Sequence, residues 1–515
     1  MANPSKPPVL LSNGAKLLTF CLFSLLFTFF FYNKDLGLNF LFVDVIVIIW
    51  LLFTRQLRFN GTIPAVAFSA FVLTSVFTII THSVFVYIMH FISIFILAGA
   101  LIHPAAGSML TTAGLAVSNI FLSFSSFTET LTTGSKSRSR IGRIIRRSLI
   151  FIVPMAIIFI FIAIYSASNP KFNALVLQVT DFLGKYFDWF FRNINMQLFV
   201  TFILVAFFLA MLMFRKGAPK IVQYDTIASD RLERRRKRNI WSSKWLALKN
   251  EFRAGIFLFF ILNALLLLVN IIDINWVWFN FKWEGQYLKQ FVHEGTYLLI
   301  LSILISIGLV LYFFRGNQNF YSGNKWLRIL SYIWLGQNAI LAVSVGIRNF
   351  YYIQNFALAY KRIGVILFLL LTLYGLYTVF LKVKNTRSAY FLFRKNTLAA
   401  YVLLVLASLV NWDAVIAKYN FSHYQKSFLH LNFMADLSDK ALPYLDVPVE
   451  KLTKIDSTQQ KKFDFADRYY YMTPAEYTER ISSRINEFLA KWESKDFLEW
   501  NYAEYKAYRD LRHLR

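Results

Sequence analysis

Cysteine and acidic side chains are scarce in this 515-residue chain, which has one cysteine, Cys21, and 28 Asp and Glu against 55 Lys and Arg. One cysteine excludes an intrachain disulfide framework and any CxxC metal site. The HExxH motif and glycine-rich phosphate-binding loops are also missing. We therefore assign no catalytic residue, no metal and no cofactor, and the sequence favours a protein that is not an enzyme.

Long apolar segments are abundant instead. Hydrophobic residues make up 57% of the chain and aromatic residues 18%. Roughly 20 apolar residues cross a bilayer as a helix. Eleven segments are predicted to do so: 15–32, 38–53, 62–81, 83–102, 149–166, 196–214, 254–272, 295–313, 326–346, 363–381 and 397–414. The predicted fold class is all-α, a polytopic transmembrane helical bundle with a small helical C-terminal cap outside the membrane, and the lipid bilayer is its first partner.

The excess positive charge belongs to the membrane region. Residues 415–515 carry 16 Lys and Arg against 15 Asp and Glu, so residues 1–414 carry nearly all of the net charge of +27. This distribution is typical of the positive-inside bias, in which cytoplasmic loops retain Lys and Arg. We interpret the run Arg231–Arg238 as a cytoplasmic anchor and expect no nucleic-acid partner.

The two most basic loops set the predicted orientation. Residues 132–148 carry six basic residues and no acid, and residues 215–253 carry twelve against four, so both are expected in the cytoplasm. Residues 104–127 are diluted by Ser, Thr and Gly, which favours a re-entrant or interfacial segment over a further crossing. Eleven crossings then place the N-terminus in the cytoplasm and the C-terminus in the periplasm of a bacterial inner membrane.

Three regions follow: an N-terminal transmembrane region (1–128), a second transmembrane domain (129–414) and a periplasmic helical cap (415–515). In the cap, Thr473-Pro474-Ala475-Glu476 predicts a helix start with a capping box. Two apolar stripes at helical spacing predict two helices that bury them: Tyr477, Ile481, Ile485, Phe488 and Trp492, then Trp500, Ala503, Ala507, Leu511 and Leu514. Segments 171–191 and 273–294 are predicted to anchor the protein at the membrane interface.

A group of polar side chains converges on the periplasmic ends of the later spans: Asp273, His293, Glu294, Arg348, Arg362, Asn411 and Asp413. Ionisable groups beside a membrane are costly, so such a group indicates partners. Arg362 at a helix start and Asp413 at a helix end oppose their helix dipoles, and we predict that they pair. The group is an ion-pair network between helix ends, a pocket for an anionic lipid headgroup or small ligand, or part of an ion path.

Four further polar residues lie inside predicted spans: Asp44, His90, Gln337 and Asn338. The two amides are predicted to hold helices together, with ligand binding as the alternative. Asp44 is either a protonatable switch or a neutral, hydrogen-bonded packing residue. Both alternatives stand at this stage.

Several short motifs follow one another along the chain: Phe161–Phe172 (FIAIYSASNPKF), Val292–Gly295 (VHEG), Ala357–Gly364 (ALAYKRIG), Asn411–Asn420 (NWDAVIAKYN) and Ala435–Leu445 (ADLSDKALPYL). With Gln337-Asn338, Arg348, Tyr352 and Trp500–Tyr502, they resemble a family of bacterial multi-pass inner-membrane proteins known only as a domain of unknown function. The resemblance covers residues 149–515 and leaves the first four spans generic. It implies a location in the cell envelope and no established activity.

Three functions are compatible with the sequence. An envelope accessory or signalling component, which we favour, would bind a protein partner through the cap and the basic loop 215–253. A transporter of small molecules or ions would use a polar path through Asp44, His90 and Gln337. A membrane enzyme for lipid-linked substrates would use His293, Glu294 and Asp413 at headgroup depth.

Overall fold

The computed structural model describes residues 11–133, 158, 161–162, 165–166, 168–191, 195–234, 248–280, 285–463 and 472–514. The side chains of residues 132–133, 183, 185–191, 285–296 and 514 are outside that description. Helices dominate these ranges and no strand occurs within them. The all-α prediction is therefore confirmed.

The helices fall into three groups along the chain. The first group is α1 (Asn13–Phe31), α2 (Leu38–Phe53), α3 (Thr62–Ile80), α4 (Val84–Ile102), α5 (Met109–Thr133), α6 (Pro170–Phe191), α7 (Met196–Met213) and the short α8 (Pro219–Ile227). The second is α9 (Leu248–Asp273), which continues as a π-helix (Ile274–Phe279), α10 (Gly285–Phe313), α11 (Lys325–Phe356), α12 (Tyr360–Lys384) and α13 (Ala389–Ser408). The cap contains α14 (Trp412–Ser422), α15 (Leu431–Ala435), α16 (Leu442–Leu445), α17 (Val449–Lys462), α18 (Pro474–Glu493) and α19 (Tyr502–Leu514).

Local chemistry fixes where many helices begin and end. At the start of four membrane helices, a side-chain oxygen accepts a hydrogen bond from a backbone N–H of the first turn. The residues that supply this oxygen are Ser12, Ser83, Asn195 and Ser388. After five helices a residue with positive φ interrupts the helical backbone. These residues are Asn33, Arg55, His82, Ala357 and Thr386. In the cap, Thr473 and Glu476 form the predicted capping box.

Nine helices of the described residues are long and apolar enough to cross a membrane, and eight of them overlap predicted spans. Predicted span 38–53 is the shorter apolar helix α2, and 295–313 is the second part of α10. Predicted span 149–166 lies almost entirely outside the described residues. The predicted position of the last span, 397–414, is wrong: α13 covers 389–408, because the chain breaks there and Asn411 caps a new helix.

Helices α1 to α5 and α7 form an N-terminal bundle. The ammonium of Lys16, at the start of α1, lies 4.6 Å from the ring centre of Phe214, just after α7, and Asn195 before α7 hydrogen-bonds to Tyr32 after α1. These helices are therefore antiparallel and define two ends of the molecule. We call the end with Lys16 and Phe214 the basic end, and the opposite one the cap end.

Both the first and the last turns of helix α5 contact residues at the basic end of the molecule. Near its start, Thr111 donates to Asp225 of α8 at 2.7 Å. Near its other end, the ring of Phe127 lies 5.0 Å from that of Phe214. Helix α5 has the composition of a span, but these contacts are those of a helix that lies along one end of the bundle.

Helices α9 to α12 form a C-terminal bundle, and α13 packs between the two bundles. Its Tyr401 hydroxyl donates to Ser93 of α4 at 2.9 Å, while Asn396 donates to Thr378 of α12 at 2.9 Å. At the basic end, Lys382 of α12 donates to the carbonyl of Phe314 after α10 at 2.7 Å. One helix thus joins two bundles that have separate apolar cores.

The cap covers the opposite end. Its core buries the predicted stripe residues Tyr477, Ile481, Ile485 and Phe488, together with Ala507 and Leu511 of the second stripe. Ile363, in the first turn of α12, belongs to the same core. The cap is consequently continuous with the membrane region, and its first helix starts at Trp412.

The two predicted interfacial anchors have different structures. Helix α6 exposes the apolar residues Leu175, Val179 and Phe182, as an interfacial helix requires. In the second segment, the indole N–H of Trp278 donates to the hydroxyl of Ser344 at 2.7 Å. The polar atom of this Trp is therefore bonded to α11. Trp283 lies outside the described residues.

Candidate functional site

A buried cluster of Asp44, His90 and Thr74 lies inside the N-terminal bundle, on α2, α4 and α3. Oδ2 of Asp44 is 3.1 Å from Nε2 of His90, and Nδ1 of His90 is 3.1 Å from the hydroxyl of Thr74. Asp44 is 3% exposed, and the other two are fully buried. Each of Asp44 and His90 is the seventh residue of its helix, about 9 Å below the cap end at 1.5 Å per residue.

The directions of the hydrogen bonds indicate which atoms of this cluster carry a proton. The Thr74 hydroxyl donates to the carbonyl of Ala70 at 2.7 Å, so its oxygen can accept from Nδ1–H of His90. Oδ2 of Asp44 and Nε2 of His90 have no other hydrogen-bond partner among the described residues. A proton between these two atoms makes the pair neutral overall, which burial in an apolar bundle favours. The geometry therefore fits an Asp–His pair that shares one proton.

Two phenylalanines fix the imidazole. Phe71 stacks on its face, with ring centres 5.5 Å apart, and Phe40 meets it edge-on at 5.3 Å. Phe40 lies one turn before Asp44 on α2. The aromatic rings orient Nε2 toward Asp44 and exclude water from the His90 side of the pair.

The Asp44 side of the pair lines a cavity of about 290 Å³ between α1, α2, α4 and α7. Its wall is mostly apolar, with aromatic residues such as Phe27, Phe91 and Phe208. The charged residues in the wall are Asp44 and Lys34, which lies in the α1–α2 connection at the cap end. An apolar cavity with few polar groups is typical of a ligand site.

Both helices of the pair begin at residues that the cap binds. At the start of α2, the backbone N–H of Leu38 donates to the carbonyl of Trp500 at 3.0 Å. A side chain at Gly37 would overlap the backbone of Glu499, so only glycine allows this approach. Lys34 forms an ion pair with Asp496 at 2.6 Å. The cap thus contacts the start of α2 at Leu38, six residues before Asp44.

The turn that precedes α4 is held in the same way. Nε2 of His82 lies 3.5 Å from Glu504 of α19, and Lys440 donates to the His82 carbonyl at 2.6 Å. Burial lowers the pKa of His82 to about 4, so the ring is neutral at pH 7. Burial alone would raise the pKa of Glu504, but attraction to His82 and a hydrogen bond from Lys495 lower it below its usual value.

Residues 17–447 match the model of a protein family. The chain belongs to the DUF4153 family, a domain of unknown function. No curated protein and no solved structure matches it. The family region includes the first four spans, which the sequence analysis treated as generic, and it ends before α17. The Asp–His pair lies within the family region, whereas Asp496, Trp500 and Glu504 lie beyond it.

The predicted polar group at the cap end is divided in the structure. Arg348 and Asp273 form an ion pair, and their side chains are 7% and 6% exposed. His293 and Glu294 have side chains outside the described residues. Asn411 caps α14 by accepting from the N–H of Ala414. Among the described members of the group, Arg348 with Asp273 and Asn411 with the start of α14 therefore have separate partners.

The predicted pairing of Arg362 with Asp413 is wrong. Arg362 donates to the carbonyls of Phe356 and Ala357 at the end of α11, and so complements the dipole of that neighbouring helix. Asp413 accepts from Tyr360 and Ser438 and lies 4.0 Å from Lys440. Asp413 is in the first turn of α14, where a carboxylate is favourable, and not at a helix end.

Two amides inside the C-terminal bundle, those of Gln337 and Asn270, join helices, whereas the amide of Asn338 donates within its own helix. Gln337 donates to Asn263 of α9 at 2.9 Å, and Asn270 of α9 donates to the Gln337 carbonyl at 3.2 Å. Asn338 donates to Trp334 of its own helix at 2.8 Å. Gln337 is therefore in a different bundle from Asp44 and His90, and the path predicted through all three is wrong.

Sequence reasoning missed Thr74, the His82–Glu504 contact and Asp225. Asp225 is buried at the basic end, where it accepts from the N–H of Gly107 at 2.7 Å and from the hydroxyl of Tyr390 at 2.8 Å. Acids are scarce in residues 1–414, and that scarcity was the available signal for Asp225. A threonine in an apolar helix gives no comparable signal.

Proposed function

We propose that this protein is an accessory or signalling component of the bacterial inner membrane, in which the protonation state of the Asp–His pair is coupled to the cap. The observation that carries the proposal is that Asp44 and His90 lie on helices whose cap-side ends bind the cap directly. The cap would present that state to a protein partner in the periplasm.

Lys34 supplies the mechanism of coupling. It lines the cavity beside Asp44 and is ion-paired with Asp496 of the cap. Loss of the shared proton gives the pair a net negative charge, which attracts the ammonium of Lys34 into the cavity. Asp496 then loses its partner and the cap loosens from α2. From α3 the hydroxyl of Thr74 contacts the pair, and from α7 Thr201 and apolar residues line the cavity.

The basic end supports a cytoplasmic orientation for that end and a periplasmic cap. Arg215, Lys216 and Arg231 lie there, whereas the cap region is nearly neutral. Single cysteines at Ser242 and Ser457 in a Cys21→Ala background test this. We expect Ser457→Cys to label from outside and Ser242→Cys only after permeabilisation; the opposite pattern would reverse the orientation.

Hydrogen exchange in lipid nanodiscs tests the coupling. Above pH 7 His82 stays neutral, so the titration of its contact with Glu504 does not interfere. We expect Asp44→Asn, which removes the carboxylate of the pair, to change protection at residues 34–40 and 496–505 relative to the wild type at the same pH. Rates are normalised to the intrinsic exchange rate at that pH.

Asp225→Asn is the matched control, because it removes another buried carboxylate, at the other end of the bundle. It should change exchange near residues 107–111 and leave exchange at the cap contacts as in the wild type. If Asp44→Asn leaves exchange at residues 34–40 and 496–505 unchanged, the Asp–His pair does not control the cap.

A proton-linked transporter is the second candidate, favoured by the cavity that Asp44 lines. Its activity should survive truncation after Asp456 but fail in Asp44→Asn. A signalling role makes the opposite prediction for the truncation. The segment between α18 and α19 carries the contacts to the start of α2, and α19 carries the contact to the turn before α4.

A further inference from the structure

A groove of about 1000 Å³ opens at the basic end, where the two bundles meet. Its walls are α8 with the segment that follows it, the start of α13, and the turn after α10. Three basic residues line it, Lys220, Arg231 and Arg315, and Glu233 is the acid among its lining residues. The groove is separate from the Asp–His cavity at the other end.

Backbone hydrogen bonds hold the floor of this groove together. The N–H of Leu232 donates to the carbonyl of Thr386 at 3.1 Å, and the N–H of Ser388 donates to that of Asp230 at 2.9 Å. Arg231 is therefore pinned between the segment after α8 and the turn that leads into α13. Its position does not depend on a free loop.

The charges in the groove are incompletely compensated. Other cations at this end have acidic partners: Lys216 with Glu129 at 2.9 Å and Arg394 with Asp230 at 2.7 Å. Arg315 is paired with Glu251 at 3.0 Å. The side chains of Lys220 and Arg231 form no ion pair with the described residues. Two uncompensated cations in one groove repel each other and attract an anion.

We propose that this groove binds a phosphate-bearing anion, with Lys220 and Arg231 as its principal contacts. The first turn of α13, which includes Ala389 and Tyr390, adds the positive end of a 20-residue helix to the same wall. Tyr224 and Ile227 of α8 also line the groove and are 67% and 72% exposed. A lipid headgroup and a soluble polyphosphate share the chemistry that these cations recognise.

Binding of two probes to the full chain in phosphatidylcholine nanodiscs tests the site and separates the sources. One probe is fluorescent phosphatidylglycerol, with fluorescent phosphatidylcholine as the neutral comparison, and the other is radiolabelled ATP. We expect one probe to bind saturably and more weakly at higher salt. Removal of both charges, Lys220→Gln with Arg231→Gln, should weaken that binding about tenfold or more.

Two further variants make the result specific. Lys325→Gln removes a cation from the same end that does not line the groove, and should change affinity by less than about twofold. Glu233→Gln removes the acid from the groove and should strengthen binding, a gain that misfolding does not produce. The proposal is overturned if neither probe saturates, or if Lys325→Gln weakens binding as much as the double change.

Discussion

The two bundles satisfy their buried polar groups in different ways. The N-terminal bundle contains a carboxyl and an imidazole that share a proton beside a cavity. The C-terminal bundle uses amides, such as Asn263 with Gln337, and one Arg–Asp ion pair. Amides do not titrate, and a guanidinium does not lose its proton in proteins. The Asp–His pair contains a proton that either group can hold, whereas the amide contacts contain none.

This difference separates a rigid part from a responsive part. The amide contacts and the Arg348–Asp273 pair hold α9 and α11 in one arrangement. The Asp–His pair instead lies against space that a moving side chain can enter. Removing each type of contact in turn tests this contrast.

The largest effect is expected at Arg348 and Asp273. Removing one partner leaves an uncompensated charge in a buried site, which costs about 3 to 5 kcal/mol. We expect Arg348→Met and Asp273→Asn each to lower the free energy of unfolding by that order, as measured by denaturation in mixed micelles.

The double variant should lose much less than the combined losses of the two single variants, because no charge is left unpaired. Strictly additive losses would show that the pair has no net coupling, and the contrast between the bundles would then rest on the amides alone.

A pH-dependent effect follows at His82. The docked ring has a pKa of about 4, whereas an undocked ring has its ordinary value of 6.5. The undocked form therefore binds a proton between pH 6.5 and 4, and cap docking weakens as the pH falls through that window. The change is about 3 kcal/mol, since one pKa unit is worth 1.36 kcal/mol.

Limited proteolysis of the cap measures this dependence. His82→Gln cannot titrate, so its cap should show no weakening between pH 6.5 and 5, before the carboxylates begin to protonate. A wild-type slope that persists in His82→Gln would assign the effect to another group.

Most of the helices could be predicted from apolar length, and the capping box at Thr473 from local chemistry, because both are properties of contiguous residues. Asp44 and His90 were each identifiable as costly groups in spans. Their pairing was not, because it depends on how α2 and α4 are rotated about their axes and on which helices are neighbours. A single sequence contains neither quantity directly.

The error at Asp413 has a similar cause. The predicted pairing of Asp413 with Arg362 required the last span to continue to residue 414, with Asp413 at its end. The helix ends at Ser408 instead. Asn411 could have been recognised as a helix cap with an acid two residues later. Arg362 binds carbonyls of the preceding helix, a contact across a tight turn that dipole reasoning within one helix omits.

A smaller effect is expected from Thr74→Val. The change keeps the shape of the side chain but leaves Nδ1 of His90 without its partner, which costs about 1 to 3 kcal/mol for a buried group. Thr78→Val is the control on the same helix, because Thr78 is equally buried and its hydroxyl donates to the Ser75 carbonyl. Thermal melting in detergent should separate the two variants, and equal losses would mean that the Thr74–His90 contact contributes nothing.

The smallest effect is expected in the amide contacts of the C-terminal bundle. Hydrogen bonds between membrane helices are worth about 0.6 kcal/mol on average, since the separated helices also find partners. A double-mutant cycle with Asn263→Leu and Gln337→Leu should give a coupling energy near that value. The coupling should be the same at pH 6 and pH 8, because neither side chain titrates. A coupling that changed with pH would mean that a titratable group acts on the C-terminal bundle as well, and the division into a rigid and a responsive half would fail.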